Sequence, residues 1–324
     1  MTPLEADLLE ILRSPDSARA LTADGPRLVT ANGAEQFPVV SGVPVLLGTE
    51  SLFTVDHYAE QPEGPGASAR LRALAKRMLP SLSHNLAAKR NYARLRDLLH
   101  EGALAGTRRR VLVVGGSIVG EGFDVLLDDP GLDLVETDVA RGPRTAIVCD
   151  AHFLPFADGV FDAVVCQAVL EHVADPPRVA AELRRVLRTG GLLYSEIPFM
   201  QQVHEGAHDF TRYSLTGHRR LFRDFDELDS GPTAGPGMAL GWALRAFATG
   251  LVGGRPGARA AVNLLVTLTA FWLKYLDPVL LRHPAGLDGA SGTYFLGRAS
   301  SARTSDREIV AGYRGADDGF SLSR

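Results

Sequence analysis

Between residues 108 and 230, short β-branched runs alternate with helix-compatible stretches, and this alternation constrains the fold more than any other feature. The strand-like runs are 111–114, 132–136, 145–149, 163–166 and 192–197. The clearest helical pattern between them is 176–188, where Val179, Leu183, Val186 and Leu187 form one apolar stripe. Strands alternating with helices predict a parallel sheet covered on both faces, because each parallel pair needs a crossover connection. A ligand is then expected at the carboxyl ends of the strands. With 324 residues, 45% of them hydrophobic, the chain is long enough for an extensive buried core.

Composition excludes several classes. A formal net charge of −4 provides no basic excess for a nucleic-acid partner, and none is expected. Two cysteines, Cys149 and Cys166, are too few for a disulfide framework or a four-cysteine zinc site. The first ten residues carry acids and no basic segment before an apolar run, so no secretory leader is expected and a cytoplasmic protein is the default.

The texture of the chain predicts four parts. Residues 1–50 read as a small module of one helix and short strands. Residues 51–107 read as a linker with a Pro/Gly-rich stretch at 61–68 and a helix on which Leu86, Tyr92, Leu95 and Leu99 share a face. Residues 108–300 are the main α/β domain, and 301–324 a polar tail. Within the main domain, 236–283 is unusually apolar, but its uncharged run 260–273 is shorter than the roughly 20 residues that span a bilayer. Two helices inserted before a last strand at 291–298 are expected to act as a lid. They could equally serve as extra core, as a homodimer interface or as a peripheral membrane contact.

The sharpest local pattern is the buried strand 111–114 running into Gly115-Gly116-Ser117-Ile118-Val119-Gly120. Glycine there permits positive φ and close backbone approach, and the turn is expected to open a helix whose free N–H groups attract an anion. About twenty residues on, the next strand ends at Glu136-Thr137-Asp138, where a carboxylate can accept from ribose hydroxyls. The spacing almost fits a dinucleotide fingerprint, with Ser117 in place of the middle glycine, so the turn alone does not name a cofactor.

Three further blocks are more specific. Asp150-Ala151-His152-Phe153-Leu154-Pro155-Phe156, then 161–173 ending in Leu170-Glu171-His172-Val173, then Arg185-Val186-Leu187-Arg188-Thr189-Gly190-Gly191 resemble the class I S-adenosylmethionine-dependent methyltransferases, most closely the type 11 group that acts on small molecules. The resemblance covers roughly residues 85–230. It implies a Rossmann-like seven-stranded sheet with helices on both faces, and S-adenosyl-L-methionine as methyl donor. By the same resemblance Gly115, Gly116, Ser117 and Gly120 face the methionine part of the cofactor. Asp138 holds the ribose, Asp150 bonds the adenine amino group with Ala151 beside it, and Gln167 lines the methyl-donor cleft. Phe153, Leu154 and Phe156 are expected to cover the adenine face. The chain departs from the family pattern at Val113, where an acid is usual, and at Ser117, where a third glycine is usual.

Residues 8–47 resemble a Trm112-type zinc-ribbon module, on 11–17, 28–33, 37–39 and 42–47. The four positions that are cysteine in metal-binding members are here Ser14, Ser17, Thr30 and Gly33, so no zinc is expected and the module would persist as packing.

The segment after the fifth strand, 197–214, resembles a stretch of methyltransferases found with sugar and cell-envelope pathways. His204, Asp209 and Tyr213 are the candidate catalytic residues there, with His172 and Arg212 as candidate contacts to a small-molecule acceptor. An Asp209–Arg212 pair could instead pin this loop, with Tyr213 packed inward. The spacing of His204, His208 and Asp209 permits a metal site, but no metal is expected. Methyl transfer from a sulfonium depends mainly on alignment and exclusion of water, so no strong base is required. The acceptor is expected to be sugar-derived, lipid-linked or a secondary metabolite. Two alternatives remain open: a catalytically silent partner-binding subunit, and an NAD-dependent oxidoreductase suggested by the near-fingerprint.

Overall fold

The computed structural model describes residues 6–55, 80–101, 106–117 and 120–316. The Pro/Gly-rich stretch 61–68 lies outside the described residues. Eleven strands form one sheet: β1 (Leu21–Asp24), β2 (Arg27–Thr30), β3 (Gln36–Val40), β4 (Val43–Leu46), β5 (Arg109–Val114), β6 (Leu132–Asp138), β7 (Ile147–Cys149), β8 (Phe161–Gln167), β9 (Leu187–Pro198), β10 (Phe225–Ala234) and β11 (Gly292–Ala299), in the order β1-β2-β3-β4-β7-β6-β5-β8-β9-β11-β10.

The central strands β7, β6, β5, β8 and β9 are parallel, as the alternation predicts, and β11 enters antiparallel between β9 and β10. Strand β5 shows why the parallel sheet is buried twice. Leu112 and Val114 point into one core, Val111 and Val113 into the other, and all four are 5% exposed or less. On the first face lies α4 (Pro176–Val186), which buries Val179, Leu183 and Val186 and is capped by the Asp175 carboxylate accepting from the Arg178 amide. On the second face lies α2 (Ala88–His100), burying Tyr92, Leu95 and Leu99.

The expectation of seven strands is corrected to eleven. The four strands of the N-terminal segment do not form a separate unit, because β4 pairs in parallel with β7 through Val45↔Val148 and Leu46↔Cys149. Leu12, Leu21, Leu28 and Phe37 then join the same core cluster as Leu112 and Phe156. A bare edge at β7 would present unpaired backbone groups, and β4 covers it. The helix read as part of a linker is likewise a core element.

The stretch after Ser300 also carries structure. Helix α10 (Asp306–Ala311) opens with a capping box between Ser305 and Glu308 and buries Ile309. It packs on α5 (Leu215–Leu221), where Arg220 and Arg223 reach Asp306.

The apolar insertion forms α6 (Pro236–Val252) and α7 (Pro256–Ala270). Its base is fixed by the buried Asp277, whose carboxylate accepts from the amides of Gly235, Gly237 and Met238 at 3.0, 2.7 and 3.2 Å. Most of the hairpin is not covered: Leu240, Leu244, Phe247, Leu251, Leu264, Leu265 and Leu268 are exposed. Among the described residues, no helix is long and apolar enough to cross a membrane.

Candidate functional site

A cavity of about 670 Å³ lies at the carboxyl ends of β5, β6, β8 and β9, a size that suits a small-molecule cofactor plus an acceptor. Its floor includes Gly115, Ser117, Gly120, Asp138, Asp150, Ala151, Gln167 and His172, so eight of the ten residues expected to bind the cofactor or line its cleft, or to touch the acceptor beside it, do converge. The other two are Arg212, which lies in the loop described below, and Gly116, which sits behind the floor against the Glu136 side chain that Arg144 pairs with through two nitrogens.

The glycines are needed for space. Gly115 has φ +79°, and a Cβ there would fall 2.3 Å from Val169 Cγ2; one on Gly120 would fall 1.8 Å from Gln167 Oε1. The helix expected directly after the turn is corrected. The next described helix, α3 (Asp124–Leu127), is a single turn starting later. The turn amides are also engaged: Gly115 and Gly116 donate to the Thr137 carbonyl, and Ser117 donates to Asp138 Oδ2 at 3.0 Å. Asp138 therefore fixes the turn, while Oδ1 accepts from the Ala140 amide at 2.9 Å. Each carboxylate oxygen retains a further lone pair for a hydroxyl donor.

Asp150 is more fully committed. Oδ1 accepts from His152 N and Nδ1, and Oδ2 accepts from Ser51 Oγ at 2.7 Å. Burial raises its pKa, but these donors outweigh that and hold it below the usual carboxylate value. The expected adenine wall is corrected. Leu154 and Phe156 are buried in the core and Phe153 lies under Arg178, whereas Leu52, Phe53, Val139 and Ala151 face the cavity.

Gln167 heads a buried network that sequence reasoning missed. Tyr92 Oη donates to Gln167 Oε1 at 2.9 Å, and Gln167 Nε2 donates to Glu196 Oε2 at 2.7 Å. Asn85 Nδ2 donates to the same oxygen at 2.8 Å, and Tyr194 Oη donates to Glu196 Oε1. Burial pushes the Glu196 pKa up. The network ties α2 to β8 and β9 beneath the cavity, so the cleft is rigid where the donor would lie.

The loop 199–214 closes the other side. Phe210 N donates to the Glu171 carbonyl at 2.7 Å and His172 Nδ1 bonds the His208 carbonyl at 2.8 Å, so the loop is seated on the Leu170-Glu171-His172-Val173 block. Asp209 accepts from Arg212, which holds its pKa down at about 2, and Arg212 also donates to the carbonyls of Gln201 and Gln202. These two residues pin the loop; neither lines the cavity. Tyr213 does not line it either and packs against the first core cluster. Of the three expected catalytic residues only His204 reaches the cavity.

Glu171, beside His172 in the same block, has no role that its sequence position alone suggests. It is 1% exposed, neither carboxylate oxygen is hydrogen-bonded by another residue, and burial pushes its pKa up to about 7. Burial also holds His172 below the ordinary histidine value.

Residues 123–195, which supply β6, β7, β8 and most of β9, match the family model described as a methyltransferase domain. S-adenosylmethionine is the cofactor that such a domain takes. A demethylmenaquinone methyltransferase of Renibacterium salmoninarum is 35% identical over 98 residues, 28% of this chain and 41% of that protein. A ubiquinone biosynthesis O-methyltransferase of Xanthomonas oryzae is 31% identical over 102 residues, 28% of this chain and 43% of that protein. The chain thus spans less than half the length of these curated relatives. Among solved structures, a Haemonchus contortus phosphoethanolamine N-methyltransferase 2 in complex with S-adenosyl-L-methionine is similar over 68% of this chain and 55% of that one, at 15% identity and a TM-score of 0.41.

The residues present fit this cofactor. The glycine cradle has no room for side chains, Asp138 keeps acceptor capacity for a ribose, and the wall beside it is apolar.

Proposed function

We propose that the whole chain is an S-adenosylmethionine-dependent methyltransferase that methylates a small-molecule acceptor by direct displacement. The observation that carries this reading is the coincidence of the matched segment with the cavity. The strands of residues 123–195 deliver Asp138, Asp150 and Gln167 to one rim, facing the glycine turn that ends β5. Bound there, the cofactor supplies an activated methyl group. The protein's contribution is to orient donor and acceptor and to exclude water. Gly115 and Gly120 admit the donor, the Gln167–Glu196 network holds the cleft floor, and the 199–214 loop shields it.

The acceptor would enter between that loop and the start of α6, where Phe53, Met238 and Ala234 give an apolar lining beside His204 and Glu205. This supports an acceptor with an apolar body and a polar reacting end, such as a lipid-linked sugar or a secondary metabolite. The exposed hairpin of α6 and α7 supports peripheral membrane contact rather than a homodimer. At the former zinc-ribbon positions Ser14 Oγ accepts from the Asp16 and Ser17 amides and Thr30 Oγ1 accepts from the Glu35 amide. Hydroxyl-built turns support a metal-free module whose role is packing.

Calorimetric titration with S-adenosylmethionine is expected to show one site per chain. Asp138→Ala should weaken it at least tenfold, since about 1.5–3 kcal/mol is typical for loss of a hydrogen bond to a charged group. Binding of NAD in its place would establish the oxidoreductase alternative. Cofactor binding without transfer to any acceptor would leave the partner-binding alternative.

A further inference from the structure

Three potential ligand atoms, from the Glu171 carboxylate and two imidazoles, converge on one point of the cavity wall. His172 Nδ1 lies 2.8 Å from the His208 carbonyl, which can only accept, so Nδ1 carries the ring proton and Nε2 presents a lone pair. That Nε2 lies 3.7 Å from Glu171 Oε1. His204 Nδ1 faces two acceptors, Asp209 Oδ2 at 3.3 Å and the Gln202 carbonyl at 3.4 Å, so its Nε2 is unprotonated too. It lies 3.9 Å from the same Glu171 oxygen, on the cavity side. One ligating atom from each of the three residues lies within 4.8 Å of the others.

The buried Glu171 carboxylate, facing two imidazole nitrogens, needs a proton or a cation between them. An ion about 2.1 Å from each donor would separate neighbouring donors by about 3–4 Å, which both measured contacts to Glu171 satisfy. The surroundings suit an ion as well. The carboxylate is 1% exposed with no other residue bonding it, and each imidazole is oriented through its far nitrogen by a carbonyl or carboxylate.

We propose that Glu171, His172 and His204 form a three-ligand site for a divalent cation of the zinc, manganese or iron type, open toward the acceptor side of the cavity. Two imidazoles and one carboxylate favour such borderline ions over magnesium or calcium, which prefer all-oxygen sets. The site stands on this geometry; its use rests on the methyl-transfer reading. An acceptor hydroxyl bound to the ion loses its proton to water, and its oxygen then attacks the methyl carbon. The carbon–sulfur bond breaks, the electron pair stays on sulfur, and S-adenosylhomocysteine leaves. The acceptor class this selects is a hydroxyl compound.

The test uses the full chain without an affinity tag, stripped with a chelator and titrated with Co²⁺ alone. A saturable visible absorption band at one equivalent is expected. His204→Asn and Glu171→Gln should each weaken Co²⁺ at least about tenfold. Loop residue His204 is the safer variant to fold, and its melting curve checks that it does. A cluster that only shares a proton gives no band. That result, or Co²⁺ affinity in both variants equal to that of the native chain, overturns the proposal. Since no S-adenosylmethionine is present, failure here is distinct from failure of the cofactor titration.

Discussion

At the residue scale, Gly120 and Gln167 illustrate how a turn and a distant strand constrain each other. A methyl group on Gly120 would overlap the Gln167 amide, with its three nearest atoms at 1.8, 2.5 and 2.8 Å. A free glutamine would swing aside at little cost. Gln167 is held by Tyr92 and Glu196, so moving it breaks both bonds and takes one donor from a buried carboxylate. Gly120→Ala is expected to lower stability by about 1–3 kcal/mol and to weaken S-adenosylmethionine binding. A double-mutant cycle checks the cause. If overlap is responsible, Gly120→Ala should cost little more once Gln167→Ala is present, as measured by denaturation and cofactor titration. Full additivity would exclude the clash. Most residues expected on the cofactor side line the cavity because they fall at strand ends, and strand ends follow from hydrophobic runs. The arrangement on the acceptor side was not legible. Glu171 stands in a recognisable block, but only the tertiary fold removes its donors, and Asn85 and Glu196 lie 111 positions apart.

At the element scale, α5 meets the sheet through one fully buried polar side chain in an apolar setting. His218 is fully buried; its ring bonds Ser195 Oγ on β9 and Thr293 Oγ1 on β11, each at 3.1 Å. Burial depresses its pKa from 6.5 to about 3. The unfolded chain therefore takes up a proton below pH 6.5 that the folded chain refuses until about pH 3. This contribution to stability is complete above pH 6.5 and is lost as the pH falls toward 3. The loss approaches roughly 1.4 kcal/mol per pH unit within that window. Urea denaturation of the native chain and of His218→Gln across this range is the check. The variant should show the shallower decline in stability, and parallel slopes would reject the argument. The sequence predicted the α/β alternation and the helix 176–188 closely, since those elements bury one or both faces and their periodicity shows it; the apolar insertion 236–283 is helical as expected, on composition and not on a buried face. It missed β10, which carries Asp226, Glu227 and Asp229 in a half-exposed run, and it opened a helix at the glycine turn, where the next described helix is the later single turn α3. Neither has a periodic apolar signature strong enough to read locally.

At the scale of the whole molecule, the N-terminal strands and the helical hairpin treat water in opposite ways. The first extend the sheet at β7 and bury their apolar residues in the common core. The second leaves a broad apolar face uncovered. Between Asp229 and Asp277 the chain has no acidic residue, while Arg255 and Arg259 stand exposed at the turn between α6 and α7. An apolar face with a basic rim suits the surface of an anionic bilayer, entered only to the depth of the headgroups. A homodimer seam would bring the same arginines from two copies together. Met238 begins this hairpin and also lines the cavity, so an apolar acceptor could pass from the bilayer surface to the site along one continuous wall. The full chain should co-sediment with vesicles containing phosphatidylserine, and less so with neutral vesicles or at high salt. Phe247→Ser with Leu251→Ser should weaken sedimentation without lowering stability, because both side chains are about 70% exposed. Each contributes about 1.5–3 kcal/mol when buried, so the pair should reduce partitioning by more than tenfold. A chain that is dimeric in light scattering, that ignores vesicles, and that becomes monomeric on these two substitutions would assign the face to a second copy instead.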